Sequence, residues 1–248
     1  MMLGLIGGTG LDKLEGLELI EQRWFDTPYG EPSSVLTIGE LNGVRLAFIA
    51  RHGVPNKIAP HLINYRANLD ALKQAGVKTI LAVNAVGGIH ENLGPACVAI
   101  PDQIIDYTYG RAHTIYDGAH HEGAGYIDFT FPYTPAVRDD LIEAAKALEL
   151  SVMTSGTYGT TQGPRLETSA EIRRYKQDGC DMVGMTGMPE AALAKEMGLE
   201  YASIAVCVNW AAGINESIAT MDEIHVAIDV GMAKVYKIIQ TYLKIESR

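Results

Sequence analysis

The feature that most restricts this chain is an alternation of short apolar runs with helical patterns, each apolar run ending in a glycine-rich or polar tip. LGLI at 3–6 leads into Gly7, Gly8, Thr9 and Gly10, and VRLAFIA at 44–50 leads into Arg51, His52 and Gly53. VKTILAV at 77–83 leads into Asn84, Ala85, Val86, Gly87 and Gly88, and is continuous enough to be a strand buried on both faces. YASIAVCV at 201–208 ends at Asn209 and Trp210, and the short run Met182 and Val183 ends at Gly184, Met185 and Thr186. Helical patterns lie between. Leu62, Tyr65, Leu69 and Leu72 share one face of a helix predicted over about 61–74 and stopped by Gly76, and a second helix is predicted over 137–148. Thr168 with Glu171 fits a capping box opening a helix to about 178, and Pro189 suits the first turn of a helix to about 197. Thr220 with Glu223 fits a second capping box, opening a long last helix with Ile224, Ile228, Met232, Val235, Ile239 and Tyr242 on one stripe.

This pattern specifies an α/β fold in which a mostly parallel, mixed sheet lies between two helix layers, three layers in all. No linker, repeat or low-complexity run interrupts it, so residues 1–248 are expected to form a single domain. In such sheets ligands bind beyond the carboxyl ends of the strands, so the tips are the residues to read for chemistry.

Composition closes off several classes. With 20 Lys plus Arg against 30 Asp plus Glu the formal charge is 20 − 30 = −10, which opposes binding to nucleic acid or to acidic membranes. No apolar stretch approaches the ~20 residues of a membrane span. The N-terminus has no basic region ahead of its apolar run, so no signal peptide is expected. The 3 cysteines, Cys97, Cys180 and Cys207, lack metal or disulfide spacing and are expected to be small buried apolar side chains in a cytoplasmic protein.

The tips suit a small phosphate-like anion. Glycines admit backbone N–H groups, Arg51 offers a planar fork, and Thr9, His52 and Thr186 offer further donors. The first tip is neither a dinucleotide fingerprint, since Lys13 stands where the third glycine belongs, nor a P-loop. His113, Asp117, His120 and His121 cluster in one loop, but their spacing matches no metal motif, and no metal is expected. No GxSxG elbow is present for an acyl-transfer serine.

GPRLET at 163–168 and GMTGMPEAALAKE at 184–196, together with GGTGLD, RHG and HLINYRANLDALKQAG, resemble the signature of the trimeric purine nucleoside and methylthioadenosine phosphorylases. The resemblance covers essentially the whole chain. It implies reversible phosphorolysis of a purine nucleoside in a homotrimer, with inorganic phosphate as co-substrate and no cofactor. It implies that Thr9, Arg51, His52, Asn84, Ala85 and Thr186 bind phosphate, with Asn84 standing where relatives have Thr. Met185 would lie under the ribose, Leu166 would replace a base-packing Phe, and Tyr126 falls where a neighbouring subunit of relatives lends a His to the 5′ end. His52 and Asn209 are the expected catalytic pair.

Asn209 and Ala211 stand where relatives that cleave 6-aminopurines carry two Asp residues. An amide both donates and accepts, which suits a 6-oxopurine, hypoxanthine above all, with Trp210 and Ala211 beside it. Met221 and Ile224 fall where nucleoside phosphorylases have a His for the ribose 5′-hydroxyl; a shifted register would bring His225 there. An apolar pair suits a 5′-methylthio group and leaves a hydroxyl unpaired. NAVGGIHE, TQGPRLET and GMTGMPEAALA look closest to the bacterial group acting on S-methyl-5′-thioinosine. Cleavage of inosine and guanosine, cleavage of methylthioadenosine, a hydrolase, and a non-catalytic nucleotide- or phosphate-binding protein are the alternatives.

Overall fold

A computed structural model describes residues 2–8, 16–123, 125–215 and 220–246. The strands are β1 (Met2–Gly7), β2 (Glu18–Arg23), β3 (Leu36–Leu41), β4 (Val44–Ala50), β5 (Val77–Gly88), β6 (Val98–Ala99), β7 (Gln103–Asp106), β8 (Thr157–Thr160), β9 (Met182–Gly184) and β10 (Glu200–Trp210). The helices are α1 (Tyr65–Gln74), α2 (Pro135–Ala147), α3 (Ser169–Gln177), α4 (Glu190–Glu196) and α5 (Met221–Glu246).

The strands form one mixed sheet in the order β2, β3, β4, β1, β5, β9, β8, β7, with β10 on the other edge of β5 and β6 on β10. Pairing is parallel for β1 with β4, β1 with β5, β5 with β10, and along β7, β8 and β9. It is antiparallel for β2 with β3, β3 with β4, β5 with β9 and β6 with β10.

Alternation along the strands creates the layers. Leu3 and Leu5 of β1, Leu46 and Phe48 of β4 and Leu81 of β5 pack against α2 and α5. Ile6, Ala47, Ile49, Ile80 and Ala82 face the other way, against α1 and α4. Burial of both faces explains the near-continuous apolar runs.

The topology of β5 makes the site. β1 pairs along one edge only as far as Ile6 opposite Ala82, whereas β10 follows the other edge to Trp210 opposite Gly88. The edge that β1 vacates is taken up at Gly87 and Gly88 by β9, running the opposite way. The carboxyl ends of β1 and β9 therefore point at each other along β5. Val83, Ala85 and Val86 of β5 line the gap.

Several sequence expectations need adjustment. The third and fourth apolar runs continue through their supposed tips, because β5 and β10 keep pairing with each other beyond β1. The first helix starts at Tyr65, not near 61: Pro60–Leu62 forms a separate 3-10 turn, and the Asn64 side chain caps α1 by accepting from Ala67 N at 3.2 Å. Leu62 is consequently exposed instead of sharing the buried face. Pro189 is the residue before α4, not within its first turn. Both capping boxes form. Thr168 and Glu171 exchange side-chain-to-backbone bonds, and so do Thr220 and Glu223. The hairpin of β2 and β3 carries no clear sequence signal, since β2 is exposed throughout.

Candidate active site

A cavity of about 830 Å³ fills the gap between the strand ends. At its polar end lie Gly8, Arg51, His52, Ala85 and Thr186. Arg51 follows directly on β4, and its N–H donates to Gly7 O at 2.8 Å, which ties the ends of β1 and β4 together. The guanidinium is buried and held from behind: Nε donates to Glu190 Oε2 at 2.8 Å, Nη2 to Glu190 Oε1 at 2.9 Å and Nη1 to Val83 O at 2.9 Å. Among the described residues three of its five N–H groups are used, which leaves two directed at no described acceptor. Burial alone would weaken the guanidinium as a base, but the Glu190 carboxylate outweighs it and holds Arg51 charged. Glu190 is the first residue of α4, where the helix dipole favours a carboxylate, and it also accepts from Tyr201 Oη at 2.8 Å.

His52 is half-buried, and its Nδ1 lies 2.8 Å from Ile58 O. A carbonyl can only accept, so Nδ1 carries the proton and Nε2 is left as the acceptor atom of the ring. Burial pushes the imidazole below its usual pKa, and the Arg51 charge adds to this. Thr186 is oriented by a buried chain: Ser203 Oγ donates to Asn84 Oδ1 at 2.8 Å, and Asn84 Nδ2 donates to Thr186 Oγ1 at 2.8 Å. A hydroxyl that accepts from an amide keeps its own hydrogen for the cavity.

The rest of the cavity is broader and more apolar. Leu166 and Glu167 line it from the segment before α3, Met185 from the turn after β9, and Val208, Asn209, Trp210 and Ala211 from the end of β10 and the residue after it. Asn209 Nδ2 donates to Trp210 O at 2.7 Å. Its amide retains a second hydrogen and Oδ1 as an acceptor. Ile224, Ile228 and Met232 of α5 close the far end. Gly213 lies in the segment that follows β10. Its φ of +76° and the 2.6 Å from an added Cβ to Ser169 Cβ leave room for no side chain.

A family model described as the phosphorylase superfamily matches residues 2–244. The chain belongs to the phosphorylase superfamily. Within it, the chain is 49% identical over 238 residues to a probable S-methyl-5′-thioinosine phosphorylase of Xanthomonas campestris pv. campestris, covering 96% of this chain and 95% of that one. It is 52% identical over 231 residues to a probable S-methyl-5′-thioinosine phosphorylase of Pseudomonas syringae pv. tomato, covering 93% and 94%. The methylthioadenosine phosphorylase of Schistosoma mansoni, solved with adenine, superposes with a TM-score of 0.94 at 30% identity, covering 100% of this chain and 92% of that one.

Against this superfamily architecture, the expected site residues divide clearly. Arg51, His52, Ala85, Leu166, Met185, Thr186, Asn209, Trp210, Ala211 and Ile224 are brought to one cavity. Thr9 lies outside the described residues. Asn84 does not line the cavity; its side chain is spent on Thr186 and Ser203, so it acts behind the surface instead of on it. Met221 does not reach the cavity either: it is 63% exposed at the first position of α5, one turn before Ile224, where the lining contributed by the helix begins. His225 is exposed. Tyr126 is 96% exposed and outside this chain's cavity.

Gly88 is needed for packing, since an added Cβ would lie 1.9 Å from Leu93 O. In the histidine-rich loop Asp117 is engaged by Arg66 at 2.7 Å and His120 at 2.9 Å. Among the described residues no cluster of three metal-binding side chains exists, and no helix is long and apolar enough to cross a membrane. Sequence reasoning missed Glu190 and Glu167. Glu190 reads as an ordinary first-turn acid, and Glu167 hides inside GPRLET; it lines the cavity and accepts from Thr161 Oγ1 at 2.6 Å.

Proposed function

We propose that this chain catalyses reversible phosphorolysis of S-methyl-5′-thioinosine, giving hypoxanthine and 5-methylthioribose 1-phosphate. The observation that carries the reading is a single cavity that joins an anion end, an amide and an apolar end. Arg51, His52 and Thr186 stand at the first, Asn209 on the wall between, and Ile224, Ile228 and Met232 at the last.

Cleavage of the glycosidic bond builds positive charge on the sugar and negative charge on the departing purine. A phosphate dianion held below the sugar stabilises the first, and donors at the purine stabilise the second. Phosphate is itself the nucleophile, so the chain supplies position and charge instead of a covalent intermediate. Asn209 Oδ1 accepts from N7–H of the leaving base while its N–H donates to O6. The Glu167 carboxylate on the same cavity suits the N1–H donor of a 6-oxopurine and repels the N1 lone pair of a 6-aminopurine. The apolar stripe of α5 suits methylthio, since Ile224, Ile228 and Met232 themselves offer a 5′-hydroxyl no hydrogen-bond partner. The names borne by the Xanthomonas and Pseudomonas relatives support the same substrate.

The working form in this reading is a cytoplasmic homotrimer, with Tyr126 offered to a neighbouring subunit's 5′ end. A crystal grown with phosphate and hypoxanthine tests the site. The expected result is phosphate between Arg51, His52 and Thr186 with the base against Asn209. An anion settling away from Arg51 contradicts it. Light scattering tests the trimer.

A further inference from the structure

Arg111 lies on the segment between β7 and α2, is buried, and directs its guanidinium at neutral acceptors from three separate parts of the chain. Nε donates to Gln162 Oε1 at 3.1 Å. Nη1 donates to Met185 O at 2.9 Å, to Met188 O at 2.5 Å and to Tyr65 Oη at 3.2 Å. Nη2 donates to Thr161 O at 3.1 Å and to Gln162 O at 2.9 Å. Among the described residues no carboxylate pairs with it.

Two consequences follow from these contacts. The carbonyls of Met185 and Met188 bracket Thr186, so the guanidinium grips the turn that carries the ribose floor and the anion-facing hydroxyl. Thr161 and Gln162 begin the segment that carries Leu166 and Glu167, the opposite wall. The ladder of β8 and β9 ties the two segments only as far as Thr160 opposite Gly184, with Thr161 N donating to Gly184 O at 2.8 Å, and just beyond that point one planar group bridges them. The second consequence concerns charge. Arg51 and Glu190 cancel, and the Tyr65 hydroxyl that accepts from Arg111 lies in the field of both. Arg111 leaves this buried group of three charges net positive beside the anion end.

We infer that Arg111 is a positioning residue for the reaction: it locks the Met185 and Thr186 turn against the Leu166 and Glu167 wall, and its charge, which no direct ion pair neutralises among the described residues, favours phosphate. This rests on the phosphorolysis reading above. That reading stands or falls separately, on turnover by the unaltered enzyme.

The test compares Arg111→Lys, Arg111→Met and Gln162→Leu with the unaltered enzyme, measuring kcat, both KM values and the thermal midpoint. Arg111→Lys keeps the charge but has at most three donors from one nitrogen. Its expected result is a kcat at least tenfold lower, with phosphate KM within about threefold of the unaltered enzyme. Arg111→Met is expected to lower kcat similarly and to raise phosphate KM tenfold or more. This split between KM and kcat is one that lost stability alone would not produce. A folded Arg111→Lys enzyme with kcat and both KM values within twofold overturns the inference, and so does a loss that vanishes once activity is counted per folded molecule. If neither Arg111 variant folds, Gln162→Leu decides, because it removes only the Nε acceptor and its bond from Tyr109 N. A threefold or greater fall in kcat at an unchanged midpoint supports the inference, and an unchanged kcat overturns it.

Discussion

Arg51 and Glu190, 139 positions apart in the chain, meet as a two-pronged ion pair that is almost wholly shielded from water. The pair sits where the end of β4 meets the start of α4, so folding of the sheet against that helix and construction of the anion end are one event. Removing one member strands the other's charge. Glu190→Ala is expected to destabilise the fold by about 3–5 kcal/mol, with the Tyr201 hydroxyl losing its acceptor as well. Urea unfolding measures it, and a cost below about 1 kcal/mol would contradict the pairing described.

Asn84 acts one step behind the cavity. Asn84→Ala leaves Ser203 Oγ without its acceptor and Thr186 Oγ1 without its donor, both in buried surroundings. The expected cost is about 1–3 kcal/mol in stability. Phosphate KM is expected to rise roughly tenfold, equivalent to about 1.4 kcal/mol, while nucleoside KM stays within twofold. Equal rises in both KM values would show that Thr186 is not the group being oriented.

Asn209 is expected to read the base. Asn209→Asp removes the donor to O6 and adds a carboxylate beside it. The ratio of kcat/KM for 6-oxo over 6-amino nucleosides should fall by about ten- to a hundredfold, the worth of one such hydrogen bond left unmade. Steady-state rates on methylthioinosine and methylthioadenosine give the ratio directly. An unchanged ratio assigns the discrimination elsewhere, with Glu167 the next residue to test.

His52 ties stability to pH. Its folded pKa lies below the ordinary histidine value because burial disfavours the charged ring, with Arg51 adding to the effect against the bond to Ile58 O. Between the folded and unfolded values the unfolded chain binds more protons. The contribution is therefore complete above about pH 6.5, the unfolded value, and is lost as pH falls below it. Thermal midpoints of the unaltered protein and His52→Gln, compared at pH 8 and pH 5, should converge toward the acidic end. A gap that widens on acidification reverses the assignment.

Much of this was readable from the residues alone. Runs such as VRLAFIA and YASIAVCV announce strands buried on both faces, and Thr168 with Glu171 announces the start of α3, because these signals are local. The tips pointed to the right side of the sheet, and most expected site residues share one cavity. What stayed hidden depends on distant partners. Nothing in GMPEAALAKE says that Glu190 will face a guanidinium from β4's end. Nothing near Arg111 marks it as the common donor to Tyr65, Thr161 and Met185. The reversal of β9 along β5 rests on three residues, too few for any periodic signal. Met221 was misplaced for a simpler reason: it shares the helical phase of Ile228 and Met232 but is the first residue of α5, one turn short of Ile224, where the cavity lining starts.

The most direct measurement is kcat/KM for S-methyl-5′-thioinosine in the presence and absence of phosphate, beside S-methyl-5′-thioadenosine and inosine under the same conditions. The expected result is hypoxanthine release that requires phosphate, with methylthioinosine preferred at least tenfold over each of the other two. Undiminished cleavage without phosphate, or a preference for methylthioadenosine, would contradict the cavity chemistry proposed for Arg51, Thr186 and Asn209.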